Sequence, residues 1–333
     1  MSIYRCNSCG FIAEVLPVEG QQAFCGRCAK PVTVYGTVFF VEKLLQRYAL
    51  ALREIKALKV AQEEEGEVEV SAAAASAKGD APVALDNAFL PTQEQHAPLQ
   101  SWFHARNILA KFAYDNVNMD GYFDEAARQI GEHYELLADV LGRIGWSYRK
   151  SHSGLNIELA RLAQKDAATI TRLCRNWYGG ALFAKYFYQK NEKILRLGLQ
   201  PAQPARQFFM GAWLEWFAID ALLDVFGQNR QQSFSCARGV KVVFPNEDLQ
   251  ELDAVALVGE RLVSIECKTG EFRHEIDKLS RLQKRIGQPA EQFIICAAQL
   301  DAAQAQGLSS MYGMTFTNVQ TLVPYLQRLA QRQ

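Results

Sequence analysis

Four charged residues, Glu251, Asp253, Glu266 and Lys268, fall on two short apolar runs that meet at Gly259-Glu260. A two-residue loop with glycine first suits a type II′ hairpin turn. Pairing outward from Val258 and Arg261 sets Asp253 opposite Glu266 and Glu251 opposite Lys268. Period-two alternation then places all four on one face. Facing acids repel in a plain sheet, whereas a divalent cation neutralises clustered carboxylates. Hard oxygen ligands select Mg²⁺ or Mn²⁺. A lysine two residues beyond a metal-ligating glutamate can orient an attacking water or help to deprotonate it. Metal, water and lysine together hydrolyse phosphodiesters. The competing reading is an edge hairpin with solvated charges; the surrounding Val, Leu, Ile and Ala argue for a central strand instead.

A second chemistry-bearing set lies at the N-terminus. Cys6-Asn7-Ser8-Cys9 and Cys25-Gly26-Arg27-Cys28 are two CxxC knuckles separated by fifteen residues. That spacing predicts a closed tetrahedral Zn²⁺ site of four thiolates, structural rather than catalytic; a redox pair is the alternative. Short strands are expected around residues 11–15 and 32–38, making residues 1–38 similar to a zinc ribbon. Zinc ribbons dock nucleic acids or proteins, and both partners stay open at this point.

A third set is basic. Residues 149–196 carry ten Lys and Arg against three Asp and Glu, a local excess of seven in a chain whose totals balance at 36 each. Lys185, Lys190 and Lys193 cluster around an expected hairpin turn, and Lys278, Arg281 and Lys284 share a helix expected over residues 274–285. Both groups are candidate nucleic-acid contacts. The plain alternatives are solvated faces, and for the first group a structural adaptor.

The blocks around the acids resemble a family pattern. An acid, a gap, then Glu-x-Lys on an apolar strand is the core of the PD-(D/E)xK, or restriction-endonuclease-like, nucleases. The sequence is most similar to the nuclease domain of CRISPR-associated CARF-domain endonucleases. It carries Gly211-Ala212-Trp213-Leu214-Glu215, Glu251-Leu252-Asp253-Ala254 and Ile265-Glu266-Cys267-Lys268-Thr269-Gly270, with Ala254 where that family has Val. The resemblance covers about the last 125 residues, and no CARF-like sensor pattern precedes it. It implies that Glu215, Asp253 and Glu266 ligate Mg²⁺ or Mn²⁺, with Lys268 catalytic beside them, in a context of defence.

These residues need elements to hold them. Residues 39–62 show helical apolar spacing and predict an amphipathic helix, packed on its own ribbon or on a partner or second copy. Residues 63–98 are acidic and low in complexity, which predicts a disordered linker. Residues 99–143 read as helices with a break near 118–121. Helices are expected at 155–164 and 167–177, and strands at 181–188 and 194–199. Three helices before a hairpin is the order of a winged helix, so residues 99–200 form the helical, winged-helix-like middle. Residues 201–333 form the α/β nuclease domain with a mixed central sheet.

The most apolar window, 208–226, is interrupted by Glu215, Asp220 and Asp224 and is too charged to span a membrane. The start lacks an apolar leader, and eight cysteines arranged as two tight pairs and four singles do not form a secreted disulfide framework. A cytoplasmic metal-dependent endonuclease is therefore expected. The rivals are a catalytically inactive nucleic-acid-binding adaptor and a protein-docking factor.

Overall fold

The computed structural model describes residues 2–6, 11–15, 23–32, 34–36, 93–112, 120–227 and 233–331. Cys9, the helix expected at 39–62 and the linker as far as residue 92 lie outside them. The chain divides into two compact units, Met1–Val83 and Ala84–Gln333.

In the first unit, β1 (Ser2–Arg5) pairs antiparallel with β2 (Ile12–Val15). A two-stranded pair, β3 (Ala23–Phe24) and β4 (Pro31–Val32), follows. Strand β5 (Val34–Gly36) returns to the other edge of β1. Among the described residues of this unit, Tyr4 is buried together with Cys6 and Cys25.

The second unit opens with α1 (Gln93–His104), which begins inside the stretch expected to be linker, and the three-residue strand β6 (Leu109–Lys111). Helices α2 (Asp120–Glu132) and α3 (Tyr134–Arg149) come next. The helix expected at 155–164 is instead strand β7 (Gly154–Glu158). Leu155, Ile157 and Leu159 point inward at period two while Asn156 and Glu158 are exposed, and that alternation outweighs the helix reading. Helix α4 (Gln164–Gly179) and the hairpin β8 (Phe183–Gln189) and β9 (Ile194–Leu199) fall where expected, and the three strands form a sheet in the order β7-β9-β8. The observed order is helix, helix, strand, helix, hairpin, not three helices followed by a hairpin.

After a short α5 (Gln203–Gln207), helix α6 (Trp213–Phe226) lies across the main sheet. It is apolar on nearly every side because it packs between that sheet and helices α2 and α9 (Val319–Gln331). The sheet comprises β10 (Phe234–Val243), β11 (Leu249–Val258), β12 (Arg261–Lys268), β13 (Phe293–Ala297) and β14 (Thr315–Thr317), with β6 added at one edge. Its order is β14-β13-β12-β11-β10-β6. The pairs from β6 to β12 are antiparallel and those from β12 to β14 parallel, so the sheet is mixed, as expected.

One core covers one face of this sheet and runs from Phe123 to Leu329, crossing the boundary expected at residue 200. A second core, with Leu99 and Phe103 of α1 and Ile276, Leu279, Leu282 and Ile286 of α7 (Ile276–Ile286), covers the other face. Helix α8 (Ala302–Tyr312) completes the unit, opened by an Asp301–Gln304 capping box.

Candidate active site

The β11–β12 hairpin has the expected register: Val258 faces Arg261, and pairing runs back to Ala254 and Ile265. Gly259 has φ 62°, as the first position of a II′ turn requires. The ladder stops at Ala254–Ile265, one step before Asp253 and Glu266 would meet. Alternation also breaks there. Ala254, Ala256 and Val258 point to one core and Val255 and Leu257 to the other, yet Leu252 joins Val255. On the neighbouring strand the break falls at Gly239, with φ 63°, and the register omits the Gly239–Asp253 pair. The expected pairing of Glu251 with Lys268 is not formed. Glu251 is exposed and registers with Lys241, and Lys268 runs beside Ala297 of β13.

The strands part at this point, and the charged groups occupy the opening. Asp253 Oδ2 accepts the Cys267 backbone N–H at 2.7 Å. Burial, opposed by that hydrogen bond and by Lys268, still leaves the Asp253 carboxyl above its ordinary range. Glu266 is only 4% exposed, and its Oε1 is buried without a hydrogen-bond partner. Burial first, and the Asp253 charge second, push its pKa up to about 8. Burial would lower the Lys268 ammonium, but Asp253 and Glu266, with a bond to Glu275 at 3.1 Å, outweigh it and hold the pKa above the usual lysine value. Glu275 ends a short 3₁₀ turn, Arg273–Glu275, that leads into α7.

Glu215 stands in the first turn of α6, which begins just after a break in the helix at Gly211, φ 146°. Burial, then the Asp253 charge, raises its carboxyl pKa. Its Oε2 accepts from Arg238 Nη1 at 2.9 Å, and that guanidinium also stacks on Trp216 at 4.0 Å. The Cys267 thiol donates to the Leu214 carbonyl at 3.5 Å, tying α6 to β12. Asp253 thus stands within electrostatic reach of Glu215, Glu266 and Lys268. The structure does not gather the three acids into a tight cage. Among the described residues, only Cys6, Cys25 and Cys28 form a group whose ligand atoms all lie within 4.8 Å. Arg238 holds Glu215, and the Cys267 amide holds Asp253.

Arg238 and Glu275 are absent from the sequence-derived site. Each contacts its partner across elements, so no local spacing reports them; the one hint is the charge of Arg238 on a largely apolar strand. Lys278, Arg281 and Lys284 are exposed on α7, opposite its buried face, and the Lys278 charge reaches Glu266. Lys185, Lys190 and Lys193 are exposed on and around the β8–β9 turn.

The cysteine cluster has its own regularity. The Cys6 N–H donates to the Phe11 carbonyl at 2.8 Å, and the Cys25 N–H donates to the Lys30 carbonyl at 2.8 Å. Both knuckles are thus closed by the same five-residue bond. The sulfurs of Cys6 and Cys28 lie 3.5 Å apart, and the Arg27 N–H points at the Cys25 sulfur at 3.4 Å. Convergent sulfurs, one of them met by a backbone amide, fit a bound thiophilic cation.

Residues 202–291 match the family model of the Card1-like endonuclease domain. The resemblance to CRISPR-associated PD-(D/E)xK nucleases expected from the motif blocks is therefore found, over the segment that holds Glu215, Asp253, Glu266 and Lys268. Similar solved structures include protein VC1899 from Vibrio cholerae, with TM-score 0.48 and 19% identity over 70% of this chain and 60% of that one. Another is Can2 from Sulfobacillus thermosulfidooxidans in complex with cyclic tetra-adenylate, with TM-score 0.48 and 14% identity over 70% of this chain and 58% of that one. The chain thus spans 60% or less of the length of these two structures. No curated protein matches the sequence. Among the described residues, no helix is long and apolar enough to cross a membrane.

Proposed function

We propose that this protein is a metal-dependent endonuclease of the PD-(D/E)xK type, acting on nucleic acid in a defence context. The observation that carries the reading is Glu266 Oε1, a buried carboxylate oxygen with no partner beside a second carboxylate and a lysine. An acid in that position is costly unless it stays protonated or meets a cation. Asp253, Glu266 and Glu215 would hold Mg²⁺ or Mn²⁺, the ions that hard oxygen donors favour. Such an ion, once bound, supplies Lewis-acid polarisation of the phosphate and a more acidic attacking water.

The chain's own residues do the rest. The Cys267 amide fixes one Asp253 oxygen, and the other would be the one to meet a cation. Glu275 anchors the Lys268 ammonium from the side. Lys268 remains protonated and places a positive charge where the scissile phosphate gains negative charge. Water oxygen bonds to phosphorus, the bridging P–O bond breaks, and the departing oxygen takes up a proton. Lys278, Arg281 and Lys284 on α7 would hold flanking phosphates.

Cys6, Cys25 and Cys28, with Cys9, would hold a structural Zn²⁺ in a ribbon-like module. That ribbon and residues 39–62 would contact a protein partner or a second copy. A reduced thiolate site of this kind suits the cytoplasm. Residues 120–199 would act as a winged-helix-like module, supported by the hairpin after α4 and by the exposed Lys185, Lys190 and Lys193.

One observation favours a second reading, an inactive nucleic-acid-binding adaptor: Arg238 occupies Glu215, and the three acids do not converge. Incubating DNA and RNA with purified protein in Mg²⁺, Mn²⁺ or EDTA decides between them. Cleavage that requires metal and is lost in Glu266→Gln supports the nuclease. Binding without cleavage in either metal supports the adaptor.

A further inference from the structure

The outer face of the β7-β9-β8 sheet has an unusual composition. Its registered row Asn156–Arg196–Phe187 is exposed, with Phe187 at 59%. The neighbouring row is Gly154–Gly198–Lys185. Two adjacent glycines leave that part of the face without side chains, apart from the Lys185 stem, which would meet a Cβ on Gly198 at 2.8 Å. Glycines of this kind mark places where another chain can approach the backbone closely.

Gly154 and Asn156 also line an open groove of about 590 Å³ between α3 and β7. Trp146 and His152 stand in it edge to face, with ring centroids 4.9 Å apart, and Trp146 is 49% exposed. Arg143 reaches across the groove to the Asn156 carbonyl. The surface therefore runs from one exposed aromatic ring, over a floor with few side chains, to a second exposed ring. Arg143, Arg196 and Lys185 lie along it, the last two within residues 149–196, which carry an excess of seven positive charges.

We propose that this surface is a base-stacking site for an unpaired stretch of nucleic acid, with Trp146 and Phe187 as its two platforms. A protein partner would need apolar area, and this face offers isolated rings among cations. A polyanion with flat aromatic groups satisfies both features. Paired bases present no free π-face, so the site selects unpaired strands. The proposal rests on nucleic acid being the ligand, as in the reading above, but not on cleavage.

The test is fluorescence-anisotropy binding in EDTA, with the full chain and with a labelled short single strand or the matching duplex. Trp146→Ala and Phe187→Ala should each weaken single-strand binding roughly tenfold while leaving duplex binding and the salt slope unchanged. Trp146→Phe should bind nearly as wild type does, which separates lost stacking from lost folding. Unchanged single-strand affinity in both alanine variants, or equal losses for strand and duplex, would overturn the proposal. Stacking-dependent binding by a protein that cleaves nothing would sink the nuclease and leave this site standing. Full cleavage with binding indifferent to both rings would do the reverse.

Discussion

Thr269 Oγ1 stands 2.7 Å from where a Cβ on Gly211 would lie, and Gly211 holds φ 146°, a conformation that L side chains rarely adopt. The two residues come from the first and last of the three motif blocks. Their close approach lets α6 start beside β12, so that Glu215 reaches the Asp253 carboxylate. Gly211 is therefore required twice, for its backbone and for its missing side chain.

Gly211→Ala should destabilise the second unit by about 1–3 kcal/mol. Urea denaturation checks this. Adding Thr269→Gly should recover only part of the loss, because the φ strain remains. Full recovery would mean that the contact alone mattered.

Glu266 makes metal-free stability depend on pH. Its folded pKa is about 8 against an ordinary 4.5, so the folded state binds the proton more tightly than the unfolded state does. The neutral form's contribution is full below about pH 4.5 and is lost as pH rises through about 8. Stability of the metal-free protein should fall over that window by a few kcal/mol, on the order of 1.4 per pH unit at most. Glu266→Gln should flatten the fall, and saturating Mn²⁺ should offset it in the wild type. Thermal melts in EDTA and in Mn²⁺, taken across the window, measure both effects.

How much of this was legible in the sequence depended on range. The hairpin could be read because a two-residue loop with leading glycine sets its own register, and Val258–Arg261 obeyed it. Glu266 and Lys268 could be read because charge is conspicuous on a strand buried on both faces. The shared face of Glu251 and Asp253 was misjudged because alternation slips at Gly239, which lies on another strand. Strand β7 was misread because a short apolar run suits either period. Strand β6 is three residues long and takes its identity from β10 alone. The Arg238–Glu215 and Lys268–Glu275 pairs are tertiary contacts without a local signature.

Arg238 competes with any cation for Glu215. Arg238→Ala should therefore tighten Mn²⁺ binding several-fold, and Glu215→Ala should weaken it. Lys268→Met should leave Mn²⁺ binding close to wild type yet abolish cleavage, since its ammonium is assigned to the phosphate. Isothermal titration beside a cleavage assay separates the three variants. Looser binding in Arg238→Ala would show that Arg238 positions Glu215 for the cation.

The cysteine cluster should be independent of the acids. Cys25→Ser should lose about one equivalent of zinc and unfold the first unit. The main unfolding transition of residues 84–333 should not move. Elemental analysis with calorimetry reads both, and intact protein without zinc would remove the ribbon assignment.

The most direct measurement is the initial cleavage rate in Mn²⁺, on single- and double-stranded DNA and RNA, of wild type against Glu266→Gln. Wild type should cleave at least one substrate, and the variant should be slower by about a hundredfold or more while binding that substrate equally well in EDTA. Equal rates for the two proteins would contradict the assignment of the parted β11–β12 strands as the active site.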